Sequence, residues 1–485
     1  MSLAEIIVGR RLATVAEIGA AIERQRAEGG RLGDNLVALG LVGADQLAAI
    51  AASGPPLPTT IAETGIAPRN LLSLLLKFMM IEDCETVWDM AERIKLSPRI
   101  VQELFDDAMS QRYAQTHGTA DGLALSTRYI LTEQGRAAAR DAVEQNQYLG
   151  PAPVALADYQ AQLVKQAIKN EALDGEALRK CFEGLVVPEH YLRRMLPAIN
   201  AGRTVLLFGP PGNGKTTMAT RIATVFKDVV FIPYAIEVSG QIIKVFDSTL
   251  HKPAVSEADA RALAEQTTLH REGFDERWAA CSRPVAVAGG EMTLDMCDLQ
   301  YSPHTKFYDA PLHVKALNGM LLIDDFGRQK FNANDLLNRW IVPMESQVDY
   351  FKLNTGATFS LPFDELLMFS TNLQPGDLVD PAFLRRIPYK IRLFSPTRDE
   401  FRQIFDGVAK ASGIELPDEV FDYIVDTLQR GNFELAYYQP KFICSQAIEA
   451  CNAFDLPRAL TRELAAEALA NLYFDIGGES GGENN

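Results

Sequence analysis

The residues best placed to do chemistry form one run. Gly209, Pro210, Pro211, Gly212, Asn213, Gly214, Lys215 and Thr216 follow the apolar stretch Thr204–Phe208 and lead into a helical pattern at Thr217. This is GxxxxGK[ST] with a strand before it and a helix after it. The glycines let successive backbone N–H groups converge on phosphate oxygens, and the helix N-terminus adds partial positive charge. Lys215 reaches the β- and γ-phosphates and the Thr216 hydroxyl ligates Mg²⁺. The run, with Thr217, predicts an ATP site. A second metal contact is expected from Met320-Leu-Leu-Ile-Asp324-Asp325, an apolar strand ending in two acids. Adjacent carboxylates at a buried strand end are costly unless a cation sits there. Asp324 is the candidate Mg²⁺ ligand, and Asp325 takes the place of the acid that activates water. Asn372 closes the apolar strand Leu366–Phe369, where a lone amide needs a partner, and Arg385 and Arg386 stand among Phe383, Leu384 and Ile387.

The elements that must position these groups follow from periodicity and breakers. From Thr204 strands and helices alternate, the mark of a parallel α/β domain, and after Ser395-Pro396 the pattern is helical to about Phe474. Val229–Tyr234 reads as the second core strand, and Ile236–Val245 as a hairpin turning at Ser239-Gly240. Val348–Leu353 and Thr358–Leu361 read as another hairpin around Asn354-Thr-Gly-Ala. The stretch 251–318, with Pro284–Leu294, is longer than a simple connection and reads as an insertion.

Upstream, residues 1–53 carry a weak repeat: Leu3, Ile7, Val8, Leu12, Ile18 and Ile22 fall on Leu32, Leu36, Val37, Leu41, Leu47 and Ala51, two short helices per copy. Ser53–Pro58 and Gly150–Pro153 are rich in breakers and read as linkers. Between them, three helices are expected near Leu71–Met79, Thr86–Ile94 and Pro98–Arg112. Strands near Gln111–Gln115 and Leu123–Leu131 flank the loop His117–Gly122, and a helix closes over Gln134–Gln147. Ser97 is the expected cap of the third helix, and the whole is a winged-helix pattern. The fold expected is multidomain: a small α N-terminal domain (1–55), a winged helix (56–150), a helical linker (151–200), an α/β P-loop NTPase core (201–395), an α-helical lid (396–475) and a disordered tail (476–485).

Composition narrows the partners. The chain has 485 residues, 47% of them hydrophobic, and 47 Lys+Arg against 63 Asp+Glu, a net charge of −16. Globular composition excludes disordered, collagenous and disulfide-stapled classes, and the acidic balance offers no general attraction to a phosphate backbone. Within 69–150 there are 9 basic and 12 acidic residues, and the expected recognition helix carries Glu103, Asp106 and Asp107, so DNA is disfavoured. Cys84, Cys181, Cys281, Cys297, Cys444 and Cys451 show no CxxC spacing and read as reduced, mostly buried thiols. No signal-peptide core or spanning segment is legible, the run Leu71–Ile81 being short and broken by Lys77, so a cytoplasmic protein without membrane insertion is expected.

The order of phosphate loop, acidic strand end, Ser370-Thr371-Asn372 and Asp380-Pro-Ala-Phe-Leu-Arg385-Arg386 resembles the AAA+ ATPase module over about 185–475. The resemblance implies that Asn372 positions the attacking water, that Arg385, with Arg386 second, is an arginine finger reaching a neighbouring subunit, and that the chain forms a homo-oligomeric ring, usually hexameric. Lys441, in Gln439-Pro-Lys441-Phe442, stands where a second sensor arginine is often found; as a lysine it supplies a point charge and not a fork. Asp325 departs from the usual Glu and is one methylene shorter, which implies slow or reorganised hydrolysis. The hairpin before Asn372 is similar to the pre-sensor-1 branch, most like its MoxR-type members, which implies remodelling of a protein client. The Ile236–Val245 hairpin carries no aromatic-hydrophobic-Gly pore motif. Arg31-Leu-Gly33-x-x-Leu-Val-x-x-Gly40-Leu resembles the MshEN-type domain of type II secretion and type IV pilus ATPases, some of which bind cyclic di-GMP; the first copy has Ser2, Ala4 and Arg11 at the equivalent places. The reading that emerges is a ring-forming ATPase recruited or regulated through N-terminal modules. Its alternatives are a winged-helix transcription regulator, a cyclic di-GMP-responsive motor and an ATP-binding scaffold with weak hydrolysis.

Overall fold

The computed structural model describes residues 2–119, 127–266 and 273–473. It opens with four helices, α1 (Leu3–Gly9), α2 (Val15–Glu28), α3 (Leu32–Ala38) and α4 (Ala44–Ser53). The repeat is carried by the backbone as well as by apolar side chains. The second copy begins its helices at Leu32 and Ala44, each 29 residues after Leu3 and Val15. Ser2 and Thr14 close capping boxes with Glu5 and Glu17, and Gln46 returns to the Gly43 N–H as Glu17 does to Thr14. Both first helices end in the same left-handed turn, with φ of 57° at Arg11 and 69° at Gly40, each N–H donating to Val8 O or Val37 O. The arginine in place of glycine therefore leaves the turn unchanged.

Next come α5 (Pro68–Ile81), α6 (Val87–Ile94), α7 (Pro98–Ser110), the antiparallel ribbon β1 (Ala114–Thr119) with β2 (Thr127–Leu131), and α8 (Glu133–Gln145). Ser97 caps α7 through its hydroxyl and Pro98 occupies the first turn, as expected, and Thr86, read as the first residue of its helix, caps α6 in the same way. The first ribbon strand begins later than its sequence pattern indicated, because Gln111 still caps α7 and Arg112 turns left-handed at φ 60°. The expected loop residues 120–122 and the start of the second strand at 123–126 lie outside the described residues, as does the C-terminal tail.

The two breaker-rich stretches are packed. Gly54 and Pro55 are buried, Pro55 O accepts from Asp275 N (3.1 Å), and Ser53 O accepts from Gln162 Nε2 (2.8 Å). Ala152 and Pro153 are likewise buried, Ala152 N donates to Ile94 O (2.7 Å), and Pro153 O accepts from the buried Arg277 guanidinium (2.9 Å). Proline and glycine here shape connections anchored at buried points, while Pro56 and Leu57 stay exposed.

The chain continues through β3 (Val154–Ala155), α9 (Leu156–Lys165), α10 (Gly175–Cys181) and α11 (Glu189–Asn200) to β4 (Val205–Phe208) and α12 (Lys215–Ala223). Then follow β5 (Val229–Pro233), β6 (Ala235–Val238), β7 (Gln241–Lys244), α13 (Glu257–Gln266), β8 (Trp278–Ser282), β9 (Val285–Ala288), β10 (Gln300–Tyr301) and β11 (Tyr308–Asp309). The core sheet contradicts one expectation. Its parallel order is completed by β12 (Met320–Ile323), β15 (Leu366–Thr371) and β16 (Tyr389–Arg392), and the edge beside β12 is β9, not β5. Read across, the sheet runs β16-β4-β15-β12-β9, with Met320 opposite Val285 and Leu366. Val229–Pro233 instead pairs antiparallel with β8, Val229 opposite Ser282. Both runs are apolar enough for a buried strand, so their composition does not separate them; pairing does. The core edge strand thus lies inside the stretch that reads as insertion, and the true departure from the sheet is 229–282.

The sheet's apolar runs fill two faces, as a covered parallel sheet requires. Leu206, Leu321, Ile323, Leu367 and Phe369 pack with Phe326 and Trp340, the latter on α15 (Ala333–Ser346). Val205, Leu207, Leu322 and Met368 pack with Tyr191 and Met195 of α11 and Met218 and Ile222 of α12. Between α14 (Leu312–Lys315) and the sheet's end stand the hairpin β13 (Val348–Lys352) with β14 (Thr358–Pro362), and the short helices α16 (Pro375–Leu378) and α17 (Pro381–Leu384). The hairpin at β6–β7 turns at Ser239 (φ 51°) and Gly240 (φ 77°), the left-handed pair that suits strand twist. Four helices, α18 (Arg398–Ser412), α19 (Asp418–Arg430), α20 (Gln439–Phe454) and α21 (Arg462–Leu472), enclose a separate core around Phe401, Phe405, Phe421 and Ile443.

The N-terminal repeat does not stand apart. Ile6, Ile7, Ile18, Ile22 and Leu36 share one continuous core with Phe231 and Trp278 of the β5–β8 pair, Leu263 of α13, and Phe351 and Leu361 of the β13–β14 hairpin. All six cysteines are unbridged, five buried and Cys181 half-buried. Among the described residues no helix is long and apolar enough to cross a membrane.

Candidate functional site

The C-terminal ends of β4, β12 and β15 bring the predicted groups together. Pro211, Gly212, Asn213, Gly214, Lys215, Thr216, Thr217, Asp324, Asp325, Asn372 and Lys441 line one cavity of about 670 Å³. The carbonyls of Gly209 and Pro210 accept from Lys215 Nζ at 3.1 and 2.8 Å, so the ammonium is folded onto its own loop. Burial pushes Lys215 below the ordinary lysine range, against the opposing pull of Asp325 and Asp324. Thr216 Oγ1 donates to Asp324 Oδ2 at 2.8 Å across 108 residues of sequence. Asn372 Nδ2 donates to Asp325 Oδ1 at 3.3 Å. Asp324 is half-buried and Asp325 exposed, the latter in a left-handed conformation at φ 48°.

Several residues that shape this corner were not singled out by sequence reasoning. Gln329 accepts from Gly327 N (2.8 Å) and donates to Asp324 O (3.0 Å), closing the turn that carries both acids. Phe326 N donates to Ser370 O (2.7 Å), and Thr371 Oγ1 donates to Phe326 O (2.7 Å), tying the acid turn to the strand that ends in Asn372. The cavity's apolar end is walled by Val187, Pro188, Tyr191, Leu393, Ile404 and Val408. The spacing of Ile404, Val408 and Ala411 on one helix face was available as a signal for that wall. Tyr437 and Tyr438, directly before Gln439-Pro-Lys441, also line it.

The arginines are placed otherwise. Arg385 is exposed, and neither it nor Arg386 lines the cavity of its own chain. Arg386 Nε pairs with Glu345 Oε1 at the end of α15. In the N-terminal repeat, Arg31 is exposed at the start of α3, and a Cβ on Gly33 would meet Leu47 Cδ2 at 2.7 Å. That glycine is explained by helix packing, as Gly40 is by its turn, so the motif needs no ligand to account for it. On α7, Arg99 is paired with Glu103 (3.6 Å), which leaves no basic face.

The cavity fits a nucleotide with a divalent cation. Lys215 has only neutral oxygens for partners, and a hydroxyl beside a carboxylate is the hard oxygen set that Mg²⁺ takes alongside substrate phosphates. Among the described residues there is no cluster of three or more His, Cys, Asp or Glu able to hold a metal by itself.

Residues 397–471 match a domain family of unknown function, DUF8689. No curated protein matches the chain. Solved structures similar to it include a single-site variant of Thermotoga maritima RuvB, at 15% identity and a TM-score of 0.34, over 60% of this chain and 72% of that one. The T. maritima RuvB Holliday junction branch migration motor matches at 14% identity and a TM-score of 0.31, over 65% and 75%. NtrX from Brucella abortus matches at 12% identity and a TM-score of 0.35, over 59% and 55%. Likeness at this level carries no weight for function, which is argued from the chain's own residues.

Proposed function

We propose that the chain is an ATPase of the AAA+ type, binding ATP with Mg²⁺ in this cavity and hydrolysing it. The observation that carries the reading is the bond from the phosphate-loop hydroxyl of Thr216 to Asp324, with Lys215, Asp325 and Asn372 in the same cavity. Lys215 exchanges two loop carbonyls for the β- and γ-phosphates. Thr216 and Asp324 hold the cation, which when bound neutralises charge on the transferred phosphoryl group. Asn372 fixes one oxygen of Asp325, leaving the carboxylate to orient a water and take its proton. The apolar wall takes the base.

On this reading Arg385, exposed and away from its own cavity, acts in a neighbouring copy, so the working form is a ring, six-fold by the resemblance. Helices α18–α21 are the lid, with Lys441 at the phosphate end, and α5–α8 with their ribbon are a winged helix that meets protein and not DNA. The β13–β14 hairpin, packed in the core with the N-terminal repeat, links the accessory body to both catalytic strands in a cytoplasmic, MoxR-like remodelling ATPase with a protein client.

The test is phosphate release with ATP and Mg²⁺, alongside mass photometry. Lys215→Ala is expected to abolish binding and turnover. Arg385→Ala is expected to assemble yet lose turnover by roughly a thousandfold or more, the scale of an arginine finger. Binding without turnover, indifferent to Asp325→Asn, would make the chain an ATP-binding scaffold instead.

A further inference from the structure

Two contacts join the four-helix unit to the tip of the phosphate loop. The first is aromatic. Tyr438, immediately before α20, lies against Gly212, where an added Cβ would stand 2.3 Å from the ring. Gly212 is itself at φ 76°, so both its conformation and its bareness are required there. The ring is held from behind: its hydroxyl meets the Tyr473 hydroxyl at 3.1 Å, and Gln439 Nε2 donates to the same Tyr473 oxygen at 2.7 Å.

The second contact is a hydrogen-bond chain. Ser395 Oγ lies 2.7 Å from Glu434 Oε2 and 3.3 Å from Asn213 Nδ2. The serine has one proton and gives it to the carboxylate, so the bond from Asn213 must come from its amide NH₂, which orients the side chain. Asn213 is 3% exposed, and its Oδ1 is buried with no hydrogen-bond partner. A buried acceptor without a partner makes the closed arrangement costly, so the latch is held modestly, as a reversible element must be.

We propose that these two contacts form a latch through which the 397–471 unit controls how long a nucleotide stays on the phosphate loop. The inference rests on the nucleotide-site reading above and assigns a role to a unit whose family has none. Gly212, Asn213 and Tyr438 all line the cavity, so an outgoing nucleotide passes the residues that the latch holds. Opening requires Tyr438 to leave Gly212 and Asn213 to leave Ser395 together, since both partners belong to the segment around the four-helix unit.

The experiment is stopped-flow release of a fluorescent ADP from the full chain, chased with excess ATP, in the wild type, Tyr438→Ala, Tyr438→Phe and Ser395→Ala. Tyr438→Ala and Ser395→Ala are each expected to speed release about tenfold, the scale of one aromatic contact or one hydrogen bond with its released partner. Tyr438→Phe keeps the ring on Gly212 and is expected to release like the wild type, which a general loosening of the unit would not reproduce. Thermal midpoints recorded alongside separate latch loss from unfolding. Release at the wild-type rate in folded Tyr438→Ala and Ser395→Ala overturns the latch while leaving the nucleotide site intact. Failure of the wild type to bind the probe overturns the nucleotide reading and the latch with it.

Discussion

The two ends of the core sheet carry similar side chains in opposite states. At the C-terminal ends, Asp324, Asp325 and Asn372 are half-buried or exposed and share few bonds. At the N-terminal ends, Arg283, Asn318 and Asp364 stand two residues before β9, β12 and β15, and their bonding is nearly complete. Arg283 donates to Glu171 (2.8 Å), Gln166 O (2.8 Å) and Asn318 O (2.6 Å). Asn318 donates to Leu163 O (3.0 Å) and Asp364 Oδ2 (2.6 Å) and accepts from Gln166 (2.9 Å); Asp364 also accepts from Ile168 N (3.0 Å). One end uses its polar groups to fasten α9 and the following turn to the sheet. The other keeps bonding capacity in reserve, which is what a ligand needs.

The comparison can be broken at either end. The largest effect is expected from Arg283→Ala, which takes the guanidinium from Glu171 Oε2 and two carbonyls. Stability should fall by about 3–5 kcal/mol, read from the denaturant midpoint. Next is Asp325→Asn, expected to slow turnover by about a hundredfold or more while nucleotide affinity and the denaturant midpoint stay close to wild type. Equal losses of stability at both ends would erase the distinction.

A smaller effect sharpens it. Glu365, beside Asp364, is buried with neither oxygen bonded, and burial together with Asp364 and Asp349 raises its pKa well above the ordinary glutamate value. The folded chain therefore keeps this proton after the unfolded chain has lost it. Stability due to this group is fully present below the ordinary value and declines as pH rises through the window up to the raised one. Glu365→Met should stabilise the chain at neutral pH by about 1–3 kcal/mol, with the gain shrinking toward pH 4 in thermal melts across pH.

The candidate site was legible because its residues are local: eight consecutive residues, Gly209 to Thr216, make the loop at its centre, and Asp324 and Asn372 each end an apolar run. The Ser97 cap of α7, both hairpins and the 29-residue repeat were legible for the same reason. The fastening network was not, since Arg283, Asn318 and Asp364 are single polar residues whose partners lie up to 196 positions away. Their common placement two residues before a strand was the available signal. The edge strand was misjudged because Val229–Pro233 and Val285–Ala288 are equally plausible apolar runs, and only the antiparallel partner at Trp278–Ser282 removes the first from the sheet. The proline-rich stretches read as linkers, and their composition did not show which of their residues would be buried.

The shared core of the N-terminal repeat has a consequence for ancestry. A helical repeat whose Ile6, Ile18 and Leu36 pack with Phe231, Leu263 and Trp278, about two hundred residues or more later, is no cassette. Its interior runs on into theirs, and the core it would leave behind would open to water. Repeat and insertion must be gained, lost and altered together, so a relative that has one without the other would have to have rebuilt both.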